Sequence, residues 1–246
     1  MAPDEIAYVL RAAAQAVKEA LEGFQGSGLS GQRHDQYALD LVADRAACDV
    51  LSAAGLSIFS EESGHTGGGG LVAVVDPVDG STNADRGIPF YCVSISVLDE
   101  RGPLVSLVEN LAVGTRYEAQ RGAGATRNGA PIAVSGASDP ARSIVGVNGV
   151  LGFLPGWAQV RTMGAAALEL CLVAEGALDA YLQAPGAAIH PWDYLAGMQI
   201  AEEAGAAIRS SDGRELVILE ATSRRPLVAA SDALADALVA QVEAPR

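Results

Sequence analysis

In one stretch of the chain, the end of an apolar run is followed by two closely spaced acids and then by three small polar residues: Val74-Val75-Asp76-Pro77-Val78-Asp79-Gly80-Ser81-Thr82-Asn83. The apolar run begins at Leu71 and is typical of a strand buried on both faces. Pro77 forbids a helix there, so the sequence predicts that the strand ends at Asp76 and that a tight bend presents two carboxylates together. Gly80 can adopt backbone angles that other residues avoid, and the polar residues after it are typical of a short helix whose amides face an anion.

Two other acidic segments stand out from their surroundings. Ser60-Glu61-Glu62-Ser63 follows a short strand predicted over 56–59, and Pro191-Trp192-Asp193 precedes a run with helical apolar spacing. Each segment alone has an ordinary structural explanation. Adjacent glutamates usually form a solvated loop, Asp193 fits a helix N-cap, and residues 74–83 fit an Asx-type turn. The local patterns therefore leave a structural and a ligand-binding interpretation open.

The hydrophobic pattern predicts a mixed α/β chain. Helical spacing predicts helices over 6–24, 38–54, 164–175 and 193–204 and from Asp232 onward. Shorter apolar runs predict strands over 56–59, 71–75, 92–98, 104–108, 143–148 and 177–182 and near 206 and 226. The one candidate boundary is a polar joint at 136–142. We therefore expect a single domain over 1–246, with halves of about 1–138 and 139–246.

Composition excludes several classes of protein. Half of the 246 residues are hydrophobic, which demands a packed core and excludes a disordered or fibrous chain. Sixteen Lys and Arg against thirty Asp and Glu give a net charge of −14, so nucleic acid and anionic membranes would be repelled. Three distant cysteines indicate a reducing compartment. The acidic start of the sequence and the lack of a long apolar stretch predict a cytoplasmic protein.

Together, the acidic segments resemble the three signatures of the inositol monophosphatase family, the magnesium-dependent and often lithium-sensitive phosphomonoesterases. The resemblance rests on Glu61-Glu62, on residues 76–83, and on Trp192-Asp193 with Gly197 and Glu203-Ala204-Gly205, and it extends over nearly the whole chain. It implies an α/β fold, specifically a layered αβαβα sandwich of the type shared with fructose-1,6-bisphosphatase. It also implies a homodimer and the activity of a phosphoric monoester hydrolase.

The resemblance further implies a site for two metal ions. Four carboxylates in one pocket repel each other, since two unit charges about 4 Å apart cost about 4 kcal/mol at an effective dielectric near 20. Oxygen ligands without histidine or thiolate favour Mg²⁺, with Mn²⁺ as a substitute. By resemblance, one ion binds Glu61, Asp76 and the main-chain carbonyl of Val78. The second binds Asp76, Asp79 and Asp193, and a weaker third ion contacts Glu61 through water.

Catalytic and phosphate-binding roles follow from the same resemblance. Glu61 and the hydroxyl of Ser81 are expected to orient an attacking water that the metal activates. Asp44 is expected to support the Ser81 hydroxyl through a hydrogen bond. Main-chain amides of Gly80, Ser81 and Thr82 are expected to bind the phosphate.

The substrate side departs from the family pattern. Family members that prefer inositol phosphates commonly have a glutamate at the position where this chain has Gln183. The residues expected to contact the substrate are Asp79, Ala166, Gln183 and Asp193. We expect a small phosphorylated metabolite, either inositol monophosphate-like or another polyol or sugar phosphate. The alternatives are histidinol phosphate, a nucleoside 3′,5′-bisphosphate or a natural-product intermediate, and, from another class, an inactive cation-binding regulatory protein.

Overall fold

The computed structural model describes residues 1–33, 36–187 and 189–243 as a mixed α/β structure. Its helices are α1 (Pro3–Glu22), α2 (Ala38–Ala53), α3 (Ser81–Asp85), α4 (Ala166–Ala174), α5 (Pro191–Glu203) and α6 (Asp232–Glu243), with a short 3-10 helix at Pro140–Arg142. Within the described residues, none of these helices combines the length and the apolar character needed to cross a bilayer.

The strands form two sheets. The first is ordered β2-β1-β3-β4-β5-β6-β7-β8 and contains β1 (Ser57–Ser60), β2 (Gly64–Thr66), β3 (Val72–Asp79), β4 (Cys92–Asp99), β5 (Gly102–Asn110), β6 (Arg116–Gln120), β7 (Gly124–Arg127) and β8 (Ala130–Pro131). The second is ordered β10-β9-β11-β13-β12 and contains β9 (Ile144–Asn148), β10 (Gln159–Arg161), β11 (Ala180–Gln183), β12 (Ala207–Ser210) and β13 (Pro226–Ala229).

Helices and sheets alternate in five layers. The α1 and α2 helices pack on one face of the first sheet, α4 and α5 lie between the two sheets, and α6 covers the outer face of the second. The sequence of each helix fits its layer, because α1 buries one stripe that includes Ile6, Leu10 and Val17, whereas α4 and α5 are buried on nearly every side. The predicted αβαβα sandwich is confirmed.

The main local difference from the sequence prediction lies at the end of β3. The strand does not stop at Asp76 but continues to Asp79, with a shift of register against β4 between these two residues. Pro77 lies within this shift, where no ladder hydrogen bond is required of its nitrogen. The prediction of a strand end at Asp76 was therefore wrong, although the bend that it predicted is present as a bulge.

Candidate active site

The bulge in β3 brings two acids to the same edge of the first sheet. Asp76 is 2% exposed and Asp79 is 9% exposed. The main-chain N–H of Val78 donates to Oδ1 of Asp76 at 3.0 Å, which closes the turn around Pro77. On the far side of the turn, Oδ2 of Asp79 accepts from the N–H of Ala167 at 2.7 Å. Both carboxylates are thus fixed by main-chain donors before any ligand is considered.

Gly80 reverses the chain between the bulge and α3. Its φ of 90° and ψ of 35° lie in the left-handed region. A Cβ at this position would lie 3.1 Å from the Cβ of Ala165, from the carbonyl oxygen of Gly164 and from the carbonyl oxygen of Phe90. Glycine is therefore required here for its backbone angles and for the close approach of the chain around 164–165.

We expect Gly80→Ala to lower the free energy of unfolding by about 2 kcal/mol, because the new methyl group adds a close contact to the backbone strain. Gly87→Ala is the matched control: Gly87 has a φ of 70°, and a Cβ there would have no heavy atom within 4 Å. Urea unfolding of both variants measures the difference. Equal losses in the two variants would show that the close approach at Gly80 has no energetic effect.

Three carboxylates from separate segments converge at this corner of the fold. Glu61 directly follows β1, and its N–H donates to the carbonyl of Val75 at 3.1 Å. Asp193 lies in the first turn of α5, where its Oδ2 accepts from the N–H of His190 at 2.6 Å. One carboxylate oxygen from each of Glu61, Asp76 and Asp193 lies within 4.8 Å of the other two. The three acidic segments of the sequence therefore meet in space.

Burial and mutual repulsion raise the pKa of each acid at this corner. Burial, followed by the charge of Asp193, raises the pKa of Glu61 to about 8. Burial and the charges of Glu61 and Asp79 hold the pKa of Asp76 well above its usual range. Burial also raises the pKa of Asp79 and of Asp193 to about 7. Four acids so placed favour a bound cation, because it would compensate their charges.

The donor set fits a hard divalent cation. The converging ligand atoms are all carboxylate oxygens, and the carbonyl of Val78 lies in the same turn. Such oxygen sets suit Mg²⁺ or Mn²⁺ and do not suit the metals that prefer imidazole or thiolate. The cluster therefore has the chemistry expected of the predicted magnesium site.

Asp44 has a different partner from the one predicted. Its carboxylate accepts a hydrogen bond from the hydroxyl of Ser60, the last residue of β1, and Ser60 in turn accepts from the N–H of Glu62 at 3.2 Å. The hydroxyl of Ser81 donates instead to the carbonyl of Val78 at 2.9 Å. Asp44 thus supports the loop that carries Glu61, whereas Ser81 is tied to the bulge of β3.

Asp40 belongs to the same electrostatic environment, although the sequence pattern did not single it out. It is 4% exposed in the first turn of α2, where its Oδ2 accepts from the N–H of Tyr37 at 2.8 Å. After burial and the charges of the other acids, the charge of Asp40 further raises the pKa of Glu61 and of Asp76. The sequence feature that could have identified Asp40 is its position one helical turn before Asp44, on the same face of α2.

A cavity of about 150 Å³ adjoins the carboxylates on the side of the second sheet. Its walls are formed by Asp79, Asn148, Gly164, Ala165, Ala166, Glu169, Tyr181, Ile189 and Asp193. Three of the four predicted substrate residues, Asp79, Ala166 and Asp193, line it. Gln183 does not: it is fully buried behind the wall, and its side-chain amide binds Tyr181 Oη and Asn148 Nδ2, each at 2.8 Å.

Thr82 lies at the start of α3, next to Ser81. Its hydroxyl is 3.2 Å from the hydroxyl of Tyr37, the residue that precedes α2. The phosphate-binding roles predicted for Gly80, Ser81 and Thr82 stay predictions. His34 lies outside the described residues.

Glu169 is a second residue that the sequence prediction missed. It is 2% exposed, it lines the cavity, and its Oε1 accepts from the N–H groups of Met163 and Gly164 at 3.2 and 3.3 Å. The signal was present in the composition of α4, because Glu169 is the only charged residue in its sequence, Ala-Ala-Leu-Glu-Leu-Cys-Leu-Val-Ala. A single acid on a helix that is otherwise apolar and buried indicates a specific role.

Comparison with known proteins assigns the sequence to a family. Residues 3–245 match the sequence model of the inositol monophosphatase family. This chain belongs to the inositol monophosphatase family. A protein of Archaeoglobus fulgidus named fructose-1,6-bisphosphatase/inositol-1-monophosphatase is 37% identical over 187 residues, which cover 73% of this chain and 71% of the relative.

Solved structures of the family share the fold. A Pyrococcus horikoshii protein described as similar to inositol-1 monophosphatase superposes with a TM-score of 0.84 at 27% identity, over 98% of both chains. The inositol monophosphatase of Anabaena (Nostoc) sp. PCC 7120 superposes with a TM-score of 0.79 at 28% identity, again over 98% of both chains. The chain is thus a phosphoric monoester hydrolase of a metal-dependent phosphatase family, as its sequence predicted.

Proposed function

We propose that this inositol monophosphatase family member is a Mg²⁺-dependent enzyme that hydrolyses a small phosphate monoester with a polyol or sugar leaving group. The observation that carries the proposal is the approach of Glu61, Asp76 and Asp193 to within 4.8 Å of one another. Acids this close are stable together only with protons or a cation between them. At neutral pH, a divalent cation explains why the chain keeps all three.

The chain offers ligands for two ions. Glu61, Asp76 and the carbonyl of Val78 would hold one, and Asp76, Asp79 and Asp193 would hold the other, with Glu61 also serving a weaker third ion through water. The main-chain bonds from Val78 to Asp76 and from Ala167 to Asp79 support this assignment, because they fix both aspartates in position.

Different residues of the chain have different roles in the proposed reaction. When bound, the ions supply positive charge to the phosphoryl oxygens and make water more acidic. Glu61 accepts a hydrogen bond from the attacking water and receives its proton as the new P–O bond forms. The ester P–O bond breaks, and the released alkoxide takes a proton from solvent water. Ser81 orients that water through its hydroxyl, which is held by the carbonyl of Val78. The amides of Gly80, Ser81 and Thr82 bind the phosphate at the start of α3.

The size of the cavity supports a small leaving group. A volume of about 150 Å³ is below the range of about 300–1,000 Å³ that is usual for pockets of larger ligands. Inositol monophosphate and related polyol or sugar phosphates therefore lead the proposed substrates. Fructose 1,6-bisphosphate joins them, because the Archaeoglobus relative carries both activities in its name. Homodimer formation and a cytoplasmic location stay predictions.

We expect phosphate release from at least one member of a panel of inositol 1-phosphate, glycerol 2-phosphate and fructose 1,6-bisphosphate with 5 mM Mg²⁺, on the order of a hundredfold faster than with excess chelator. A phosphate assay at pH 8 measures this. Release that is equally fast with Mg²⁺ and with chelator would contradict metal dependence. Failure to release phosphate from any ester would favour the inactive cation-binding protein.

A further inference from the structure

Glu61 lies in a three-residue turn whose two ends are fixed by strand pairing. Ser60, the last residue of β1, pairs with Val75 on β3 and with Gly64 on β2, so residues 61–63 connect two antiparallel strands. The pairing of the strands fixes where this turn begins and ends, and the path of the three residues between them depends on further contacts. The Glu61 carboxylate is therefore only as well placed as the turn that carries it.

The further contacts come from Asp44 on α2, through the hydroxyl of Ser60. Asp44 is 8% exposed and Ser60 is 1% exposed, and the Ser60 hydroxyl donates to Oδ1 of Asp44. The same Ser60 oxygen accepts from the N–H of Glu62 at 3.2 Å. Hydrogen bonds thus run from the helix through the end of β1 to the residue that follows Glu61.

Two weaker donors converge on the same oxygen of Asp44. The hydroxyl of Ser63, at the other end of the turn, lies 3.4 Å from this oxygen. The thiol of Cys48, one helical turn further along α2, also lies 3.4 Å from it. Asp44 therefore contacts the turn on both sides of Glu61, at Ser60 and at Ser63.

We propose that Asp44 and Ser60 are positioning residues for Glu61. Their hydrogen bond holds the turn so that the Glu61 carboxylate meets those of Asp76 and Asp193, and it thereby raises the affinity of the proposed metal site for a divalent cation. This inference rests on the proposed function and deepens its account of the metal site. A ligand that has lost its supporting hydrogen bonds must be ordered when the ion binds, and that ordering lowers the affinity.

The test is calorimetric titration of Mg²⁺ into the metal-free protein at pH 8. Ser60→Ala removes the hydroxyl without a change of charge, and Asp44→Ala removes the acceptor. We expect each variant to bind Mg²⁺ about tenfold more weakly than the unaltered protein. The double variant should also bind about tenfold more weakly, because both substitutions remove the same hydrogen bond.

Asp44→Asn separates the effect of position from the effect of charge. The asparagine oxygen can still accept from the Ser60 hydroxyl, although the negative charge of the carboxylate is lost. We expect this variant to bind Mg²⁺ with an affinity within about threefold of the unaltered protein. A loss as large as that in Asp44→Ala would overturn the proposal, because the charge of Asp44 would then account for the effect.

Ser57→Ala and Asp49→Ala are the matched controls. Ser57 is the first residue of β1, where its hydroxyl donates to the carbonyl of Gly69 at 3.1 Å, and Asp49 is exposed on α2. We expect neither variant to change the affinity for Mg²⁺. Unchanged affinity in Ser60→Ala and Asp44→Ala would overturn the proposal, and so would additive losses in the double variant.

A separate outcome concerns the proposed function itself. If the unaltered protein binds no Mg²⁺ and releases no phosphate, the proposed function fails, and hydrogen exchange in the metal-free protein then tests the positioning role without a metal. The amide of Glu62, which donates to the Ser60 hydroxyl, should exchange about tenfold faster in Asp44→Ala than in Asp49→Ala. Equal exchange rates would overturn the role of Asp44 in holding the turn.

Discussion

Replacing Asp76 by asparagine is expected to reduce phosphate release at least a hundredfold and, in the metal-free protein, to increase stability. Asp76 is the one carboxylate shared by both proposed ion sites, so its loss removes about 2.7 kcal/mol or more of transition-state stabilisation. The asparagine oxygen can still accept from the N–H of Val78, which preserves the turn around Pro77. The fold should therefore remain intact.

The gain in stability has an electrostatic cause. Asp76 is buried beside Glu61 and Asp79, and burial together with their charges raises its pKa. Removing its charge relieves repulsion that would otherwise oppose folding, and we expect a rise of about 4 °C in melting temperature with chelator present. A phosphate assay and a thermal unfolding scan measure the two effects on the same sample.

Asp99→Asn provides the control for this substitution. Asp99 lies at the opposite end of β4, where it pairs with Arg121 at 2.8 Å. This variant should leave turnover unchanged and should not be stabilised. More than a tenth of the unaltered rate in Asp76→Asn would contradict the proposed metal ligands, and a loss of stability in that variant would contradict the repulsion.

The sequence predicted those parts of the site that depend on neighbours along the chain. The apolar run before Asp76, the proline after it and the glycine at position 80 together predicted a turn that presents two acids. The extension of β3 to Asp79 could not be predicted in this way, because it depends on the pairing of Asp79 with Cys92 on β4. Local patterns do not contain the register of a neighbouring strand.

The convergence of distant acids was reached only through family resemblance. Glu61 and Asp193 each have an ordinary local explanation, and only the packing of α5 against the first sheet brings them together. Gln183 shows that the family resemblance alone was also insufficient to define the contacts of a residue. Its position in the sequence suggested a substrate contact, but its register opposite Asn148 on β9 places it in a buried hydrogen-bond chain. A family resemblance indicates which position in the sequence corresponds to a functional residue, but the contacts of the side chain at that position determine its role.

Magnesium is expected to stabilise the protein strongly at pH 8 and little at pH 5. Glu61, Asp79 and Asp193 have pKa values of about 8, 7 and 7 in the folded chain, each above its ordinary value, with burial as the main cause. An acid of this kind binds its proton more tightly when folded than when unfolded. The metal-free protein therefore loses stability as the pH rises from about 4, where the unfolded chain ionises, to about 8, where the folded chain does.

Bound cations change the stability of the folded protein with pH in the opposite direction, through the same carboxylates. They bind the ionised acids and compete with protons, so their contribution grows as the pH rises. At a Mg²⁺ concentration about 100 times its dissociation constant, binding adds about 2.7 kcal/mol, or about 8 °C in melting temperature for a chain of this size. Thermal scans with Mg²⁺ and with chelator at pH 5, 6, 7 and 8 measure this difference. A difference that stays constant across the series, or that is largest at pH 5, would show that the cation does not bind these acids.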